Sequence, residues 1–175
     1  MSGPRIQPRI LGIGTAVPDH VVSQATARDF AGRMFARHHP DIERLLPVFD
    51  HAGVDQRHLC VPAEWFDEPH SFGERNDLYV HHALALSITA ALEALAAARV
   101  DAADVGALLF VSTTGLATPS LDARLALALG CPDDVRRDAT FGHGCAGGVG
   151  GLARAAAYSR AEPAVSYTHL RAHET

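Results

Sequence analysis

Gly142-His143-Gly144-Cys145-Ala146-Gly147-Gly148 is the stretch on which the reading of this chain turns. It stands between a β-like segment, Val135 to Phe141, and an Ala-rich helical segment that runs from Ala146 to about Tyr158. Small residues on both sides of a cysteine let backbone approach a reacting group closely and leave the thiol unshielded. A helix beginning at Cys145 or Ala146 aims unpaired N–H groups at that sulfur and favours the thiolate. Such a thiolate is a nucleophile for acyl groups held as thioesters. The same seven residues also describe a Gly-rich turn with a buried cysteine, so the remainder of the chain has to choose.

Moving outward, apolar segments alternate in period. Val105 to Ser112 (VGALLFVS) is a continuous apolar run of strand length, as expected for a strand buried on both faces. Leu121, Leu125 and Leu129 repeat at helical spacing, with Thr118-Pro119 as the expected cap and first residue and Gly130 as the stop. Upstream, Asn76 is the expected cap of a long helix with a Leu84, Ile88, Leu92 and Leu95 stripe. Arg9 to Val17 (RILGIGTAV) reads as a buried strand in which Gly12 and Gly14 allow close approach to a neighbouring backbone. Ser23 is the expected cap of a helix to about Arg37. Asp41 begins a second helix that Pro47 bends or splits and Gly53 ends. Val54 to Val61 alternates as a short strand, and Pro62 to Glu74 is an ordered loop carrying Trp65, Phe66, Pro69 and Phe72. Strands alternating with helices give an α/β fold with a mixed sheet and helices on both faces.

Composition narrows the function classes. The chain has 175 residues, 47% of them apolar and 20% charged, enough for one domain with a core. All 15 basic residues are Arg, and the net charge is −5. Dispersed arginines on an acidic chain do not make the basic face of a nucleic-acid binder. Cys60, Cys131 and Cys145 are far apart with no C-x-x-C pair, which points to reduced thiols and a cytoplasmic location. Ala83–Val100 has the length of a membrane span, yet Ala dominates it and Glu93 interrupts it, so a helix packed inside a soluble fold is the reading. Pro4 and Pro8 near the start argue against a signal peptide. The histidines form no metal set: His38-His39 and His81-His82 are adjacent pairs, and no H-E-x-x-H occurs. Ser166 to Thr175 (SYTHLRAHET) abandons the Ala/Leu/Gly composition and reads as foreign sequence of adaptor or vector origin. The domain expected is therefore 1–165, with 166–175 a tail.

Four stretches agree in order and spacing: ILGIGTAVP at the start, GVDQRHL at 53–59, TTGLATP at 113–119 and GCAGG at 144–148. Together they resemble the type III polyketide synthases, the chalcone and stilbene synthase-like enzymes, in their bacterial form. The resemblance runs from about Arg9 to Ala161. It implies the N-terminal half of a thiolase-like fold, acting as a homodimer when intact. It also implies loading of an acyl group from acyl-CoA onto Cys145 and extension by decarboxylative condensation with malonyl-CoA. Coenzyme A thioesters are then substrates, and no cofactor is called for.

By the same resemblance Thr113 and Thr114 match hydroxyls lining the substrate cavity; hydroxyls bonding local backbone at a strand end are the alternative. Thr118 matches the position that reaches into the partner subunit's cavity, although it also suits a helix cap. The basic cluster for the CoA phosphates falls on Arg44, Pro47 and His51, of which only Arg44 keeps a full charge and Pro47 departs outright. Arg57 matches a recurrent Arg whose default role is a structural ion pair. His143, two residues from Cys145, is a loop residue, because the family's catalytic His and Asn lie in the second half of its fold. That half is absent here, so the resemblance implies an inactive fragment with uncovered apolar surface. A ketoacyl-ACP synthase III-like condensing enzyme and a non-catalytic dimerisation half-domain are the competing readings.

Overall fold

The computed structural model describes residues 7–36 and 39–161, and the backbone of 166–171. Pro4, the expected helix end at Arg37, His38, Pro163 and 172–175 lie outside the described residues. Two compact units form, one of Val17–Phe72 and one of the described residues up to Ala16 together with those from Gly73 onward.

In the first unit, β1 (His20–Ser23) pairs antiparallel with β2 (Gln56–Leu59), with His20 opposite Leu59 and Ser23 opposite Gln56. The residue pattern of His20–Ser23 by itself predicts no element. Ser23 ends β1 and caps α1 (Gln24–Phe35), its hydroxyl accepting from the Thr26 N–H at 3.0 Å. Pro47 splits the next helix as expected, into α2 (Ile42–Leu45) and α3 (Pro47–His51). Gly53 follows at φ +64, a left-handed conformation that glycine adopts without penalty. The 62–74 loop is ordered around a 3₁₀ turn at Ala63–Asp67. There the Trp65 indole stacks on His70 at 3.7 Å, and the His70 ring donates to the Trp65 carbonyl at 2.8 Å.

The second unit is built on β3 (Val105–Ser112), which pairs in parallel with β4 (Arg136–Phe141) on one side and β5 (Ser166–Arg171) on the other. All of β3 except Gly106 is buried, which explains its unbroken apolar sequence. Its two faces meet different helices. Leu108 and Phe110 enter a core with Ala83 and Ala91 of α4 (Phe72–Ala98) and with Leu121, Leu125 and Ala126 of α5 (Leu121–Leu129). On the opposite face Val111 lies against Gly147 at the start of α6 (Gly147–Ala161). Helices on both faces of the sheet are thus realised. Gly130, at φ +73, ends α5, and the Cys131 N–H reaches back to the Ala126 carbonyl at 3.0 Å.

Four local expectations are corrected. Arg9–Val17 is not a buried strand: it joins no ladder among the described residues, and Ile10, Leu11 and Ile13 are 69%, 62% and 71% exposed. Its glycines do make the close approach expected. A Cβ on Gly12 or Gly14 would strike the α4 backbone at Ala94 and Ala90, leaving the intervening large side chains turned to solvent. The helix of Asn76 starts four residues earlier, at Phe72, because the Asn76 side chain is engaged elsewhere and Glu74 already favours the helix start. Of its expected stripe, Leu95 is buried and Leu84 and Ile88 pack against the core, but Leu92 is 53% exposed, and the fully buried line is Ala83, Ser87, Ala91 and Leu95. Small residues bring α4 closer to its neighbours than the leucine stripe would. Finally, Ser120 and not Thr118 occupies the cap position of α5, adjacent to the first buried leucine. α4 is long and apolar enough by itself to cross a membrane, but in this fold its small-residue line is buried among β3 and α5.

Candidate active site

The two parallel strands β3 and β4 end side by side, and each is followed by one of the stretches singled out above. Ligand-binding loops of parallel sheets collect at this carboxyl end. After β4 the chain makes a sharp reversal through Gly142 at φ +81 and Gly144 at φ +54, positions a side chain would strain. A 3₁₀ turn, Gly144–Ala146, carries Cys145 and leads directly into α6. Regular α-helix therefore starts two residues after Cys145, not at it. The cysteine is exposed, a free thiol presented on a turn.

The turn is held from beneath. The Gly142 N–H donates to the Ser112 carbonyl at 3.2 Å, joining the ends of β4 and β3. Gly147 is buried on the sheet, where a Cβ would lie 2.6 Å from Val111 Cγ1. The smallness of Gly147 serves helix–sheet packing. His143 is exposed, and its ring hydrogen bond among the described residues is a long one, 3.4 Å, to the Phe141 carbonyl. The ring is directed at its own turn, in keeping with a loop residue.

Thr113, Thr114 and Thr118 lie on the loop after β3, half-buried, exposed and exposed respectively. Their hydroxyls take no local backbone partner among the described residues. This loop is fastened by residues that sequence reading passed over. The Asn76 side chain donates to the Leu116 carbonyl and accepts from the Leu116 N–H, both at 2.8 Å. One turn along α4, the Tyr79 hydroxyl meets Ser112 Oγ at 2.6 Å, and Ser112 Oγ donates to the Gly115 carbonyl at 3.2 Å. Gly115 lies flat on the Tyr79 ring with no room for a side chain. The signal available in sequence was an Asn and a Tyr three apart, on one face of the helix.

Arg44 and His51 belong to the Val17–Phe72 unit. Both are exposed, Arg44 at the end of α2 and His51 at the end of α3. Arg44 has no ion-pair partner among the described residues. Arg57 corrects the ion-pair expectation: its Nε donates to the Gln24 side chain at 3.0 Å, and its guanidinium lies 5.6 Å from the centre of the Phe49 ring. A half-buried Arg beside an aromatic ring and an amide oxygen needs no carboxylate.

Residues 4–164 match the family pattern described as chalcone and stilbene synthases, N-terminal domain. The chain belongs to the chalcone and stilbene synthase family. Its fold is the thiolase-like α/β fold of type III polyketide synthases. Over 159 residues it is 42% identical to a Bacillus subtilis (strain 168) protein named "Putative chalcone synthase", a match covering 88% of this chain and 44% of that one. It is 37% identical over 154 residues to 1,3,6,8-tetrahydroxynaphthalene synthase of Streptomyces peucetius subsp. caesius, covering 88% of this chain and 41% of that one. The crystal structure of 1,3,6,8-tetrahydroxynaphthalene synthase from Streptomyces coelicolor A3(2), a bacterial type III polyketide synthase, superposes with a TM-score of 0.84 at 28% identity. That match covers 91% of this chain and 47% of that one. The chain thus spans less than half the length of the relatives it matches. In this chain the turn at Cys145 and the loop at 113–119 follow the neighbouring carboxyl ends of β4 and β3.

Proposed function

We propose that this chain carries the acyl-accepting half of a condensing acyltransferase. The observation that supports it is the exposed Cys145 on a glycine turn at the carboxyl end of a parallel sheet, next to the threonine-bearing loop. In this reading the Cys145 thiolate attacks the thioester carbon of an acyl-CoA. A new C–S bond forms, the old one breaks, and coenzyme A leaves as a thiolate that takes up a proton. Malonyl-CoA then loses carbon dioxide, and the resulting enolate carbon attacks the Cys145 thioester, returning the cysteine as thiolate and lengthening the acyl chain by two carbons. Negative charge builds on the thioester oxygen in both attacks, and backbone N–H groups of the turn are the nearest donors for it.

Thr113 and Thr114 line the space for the growing chain in this scheme, and Thr118 extends toward the partner subunit of a homodimer. Arg44 meets the CoA phosphates, with a lesser share for His51. The side chains that activate the thiol and drive decarboxylation belong to the part of the relatives that this chain does not match. The 175 residues alone are accordingly a fragment that takes up an acyl group slowly and does not condense. The setting is the cytoplasm, where Cys60, Cys131 and Cys145 remain thiols.

The test is incubation with an acyl-CoA and malonyl-CoA, followed by mass spectrometry of protein and product. An acyl adduct on Cys145 that vanishes in Cys145→Ser, without released polyketide, is the expected result. Pyrone or polyketide product from the chain alone overturns the fragment reading, and an adduct that persists in Cys145→Ser overturns the assignment of the nucleophile.

A further inference from the structure

The helix behind Cys145 starts with no buried side chain to anchor it. Four of its first five residues are glycine, Gly147, Gly148, Gly150 and Gly151, each less favourable in a helix than alanine by about 0.5–1 kcal/mol. Gly147 and Gly151 are the buried residues of α6, and Val149 is 73% exposed. Bare backbone against a sheet packs closely, but it offers no interdigitating side chain to fix the helix along the strand.

That fixing comes two turns later. Arg154 Nη1 donates to both oxygens of Asp138, at 3.0 and 3.2 Å, and to Thr140 Oγ1 at 2.6 Å. The Tyr158 hydroxyl donates to Asp138 Oδ2 at 3.1 Å. Arg154 and Tyr158 are one helical turn apart on α6, and Asp138 and Thr140 are two apart on β4, so two faces meet in register. The four side chains close a ring: up β4, around the turn from Gly142, down α6 and back through Arg154. Cys145 is at the apex of that ring. A lone ion pair with Arg154 half-exposed would contribute little. Here one guanidinium nitrogen joins two strand residues to the helix, and the Tyr158 hydroxyl adds a second tie to the same carboxylate.

We infer that Arg154, supported by Asp138, Thr140 and Tyr158, is a positioning residue that sets where Cys145 stands over the sheet. The inference deepens the reading of Cys145 as acyl acceptor and rests on it. Its experiment uses iodoacetamide, which needs no acyl-CoA, with Cys60 and Cys131 as references in the same molecule. In Arg154→Met the labelling rate of Cys145 relative to the other two cysteines is expected to change by about threefold or more. Arg154→Lys, whose ammonium can still meet Asp138, is expected to recover most of the wild-type ratio. Amide hydrogen exchange is expected to quicken over 142–150 and to stay unchanged over 105–112.

An unchanged Cys145 ratio in Arg154→Met, a parallel shift of all three cysteines, or failure of Arg154→Lys to recover the ratio overturns the inference. Should Arg154→Met not fold, Tyr158→Phe decides: it removes one hydroxyl from the ring and must move the Cys145 ratio in a folded chain, and an unmoved ratio overturns the inference. A chain that labels as expected but takes no acyl group overturns the acyl-acceptor reading and leaves the positioning role standing.

Discussion

The carbonyl of Ser112 accepts the Gly142 N–H at 3.2 Å, while the hydroxyl of the same serine is bonded to Tyr79 and Gly115. The turn bearing Cys145 and the loop bearing Thr113 and Thr114 are therefore both bonded to one residue at the end of β3. Whatever displaces Ser112 displaces both halves of the candidate site.

Gly115 tests that arrangement directly. A Cβ there would overlap the Tyr79 ring, so Gly115→Ala is expected to destabilise the chain by about 1–3 kcal/mol. Pairing it with Tyr79→Val should recover part of the loss, because the two changes share one contact. Urea unfolding of the single and double variants measures the coupling. Additive losses would show that the ring is not what Gly115 avoids.

Two glycines of one helix should respond with opposite signs. Gly150 has nothing within 4 Å of a built Cβ, whereas that of Gly147 lies 2.6 Å from Val111 Cγ1. Gly150→Ala is expected to stabilise by about 0.5–1 kcal/mol. Gly147→Ala should destabilise and be relieved by Val111→Ala. Thermal melts of the three variants, read against wild type, check both signs.

Asp122 is 2% exposed and takes an ion pair from Arg137 at 3.3 Å, leaving its Oδ1 without a hydrogen bond among the described residues. Removing the cation strands a buried carboxylate. Arg137→Met is expected to cost about 1–2 kcal/mol, less than the loss of a partner in a fully buried pair, since the Arg137 side chain is 44% exposed. The double variant Asp122→Asn with Arg137→Met should be more stable than Arg137→Met alone. Denaturant midpoints of wild type and the two variants decide the order.

Alkaline pH should weaken the Arg154 ring. The hydrogen bond to Asp138, and then its charge, hold the Tyr158 phenol above the ordinary tyrosine range, with Arg154 and Arg136 opposing. A raised folded-state value means that this contribution is complete below the unfolded value of about 10. It is lost as pH climbs through the higher folded value. The stability gap between wild type and Tyr158→Phe is expected to be constant near neutrality and to close at alkaline pH. Because Tyr158 is more than a third exposed, the gap is small. A gap that widens above pH 10 would contradict the sign.

Elements with an internal pattern were legible in the sequence. The unbroken apolar run of β3, the leucines of α5 ended by Gly130, and the Pro47 split all follow from local chemistry, and each is where the pattern put it. What escaped depended on partners far along the chain. Arg9–Val17 has strand composition, but a strand also needs a neighbour to share hydrogen bonds, and none is present among the described residues. His20–Ser23 lacks a clear pattern and becomes a strand because β2 pairs with it. Asn76 resembled a helix cap because Asn favours caps, yet its amide serves Leu116, forty residues on. Of the candidate site, Cys145 and the threonine loop could be named from motif and context. Their fastening through Tyr79, Asn76 and Ser112 could not, since a side-chain hydrogen bond across distant positions leaves no periodic trace.

Gly12 and Gly14 press on α4 while Ile10, Leu11 and Ile13 face solvent. For this chain alone, the usual order of mutational tolerance is reversed along that segment. The smallest residues are the ones fixed by sterics, and the bulky aliphatic ones are free to vary. A substitution survey of residues 9–17 would carry its intolerance at the two glycines, and polar replacements at 10, 11 and 13 are the changes that would improve handling without touching the fold.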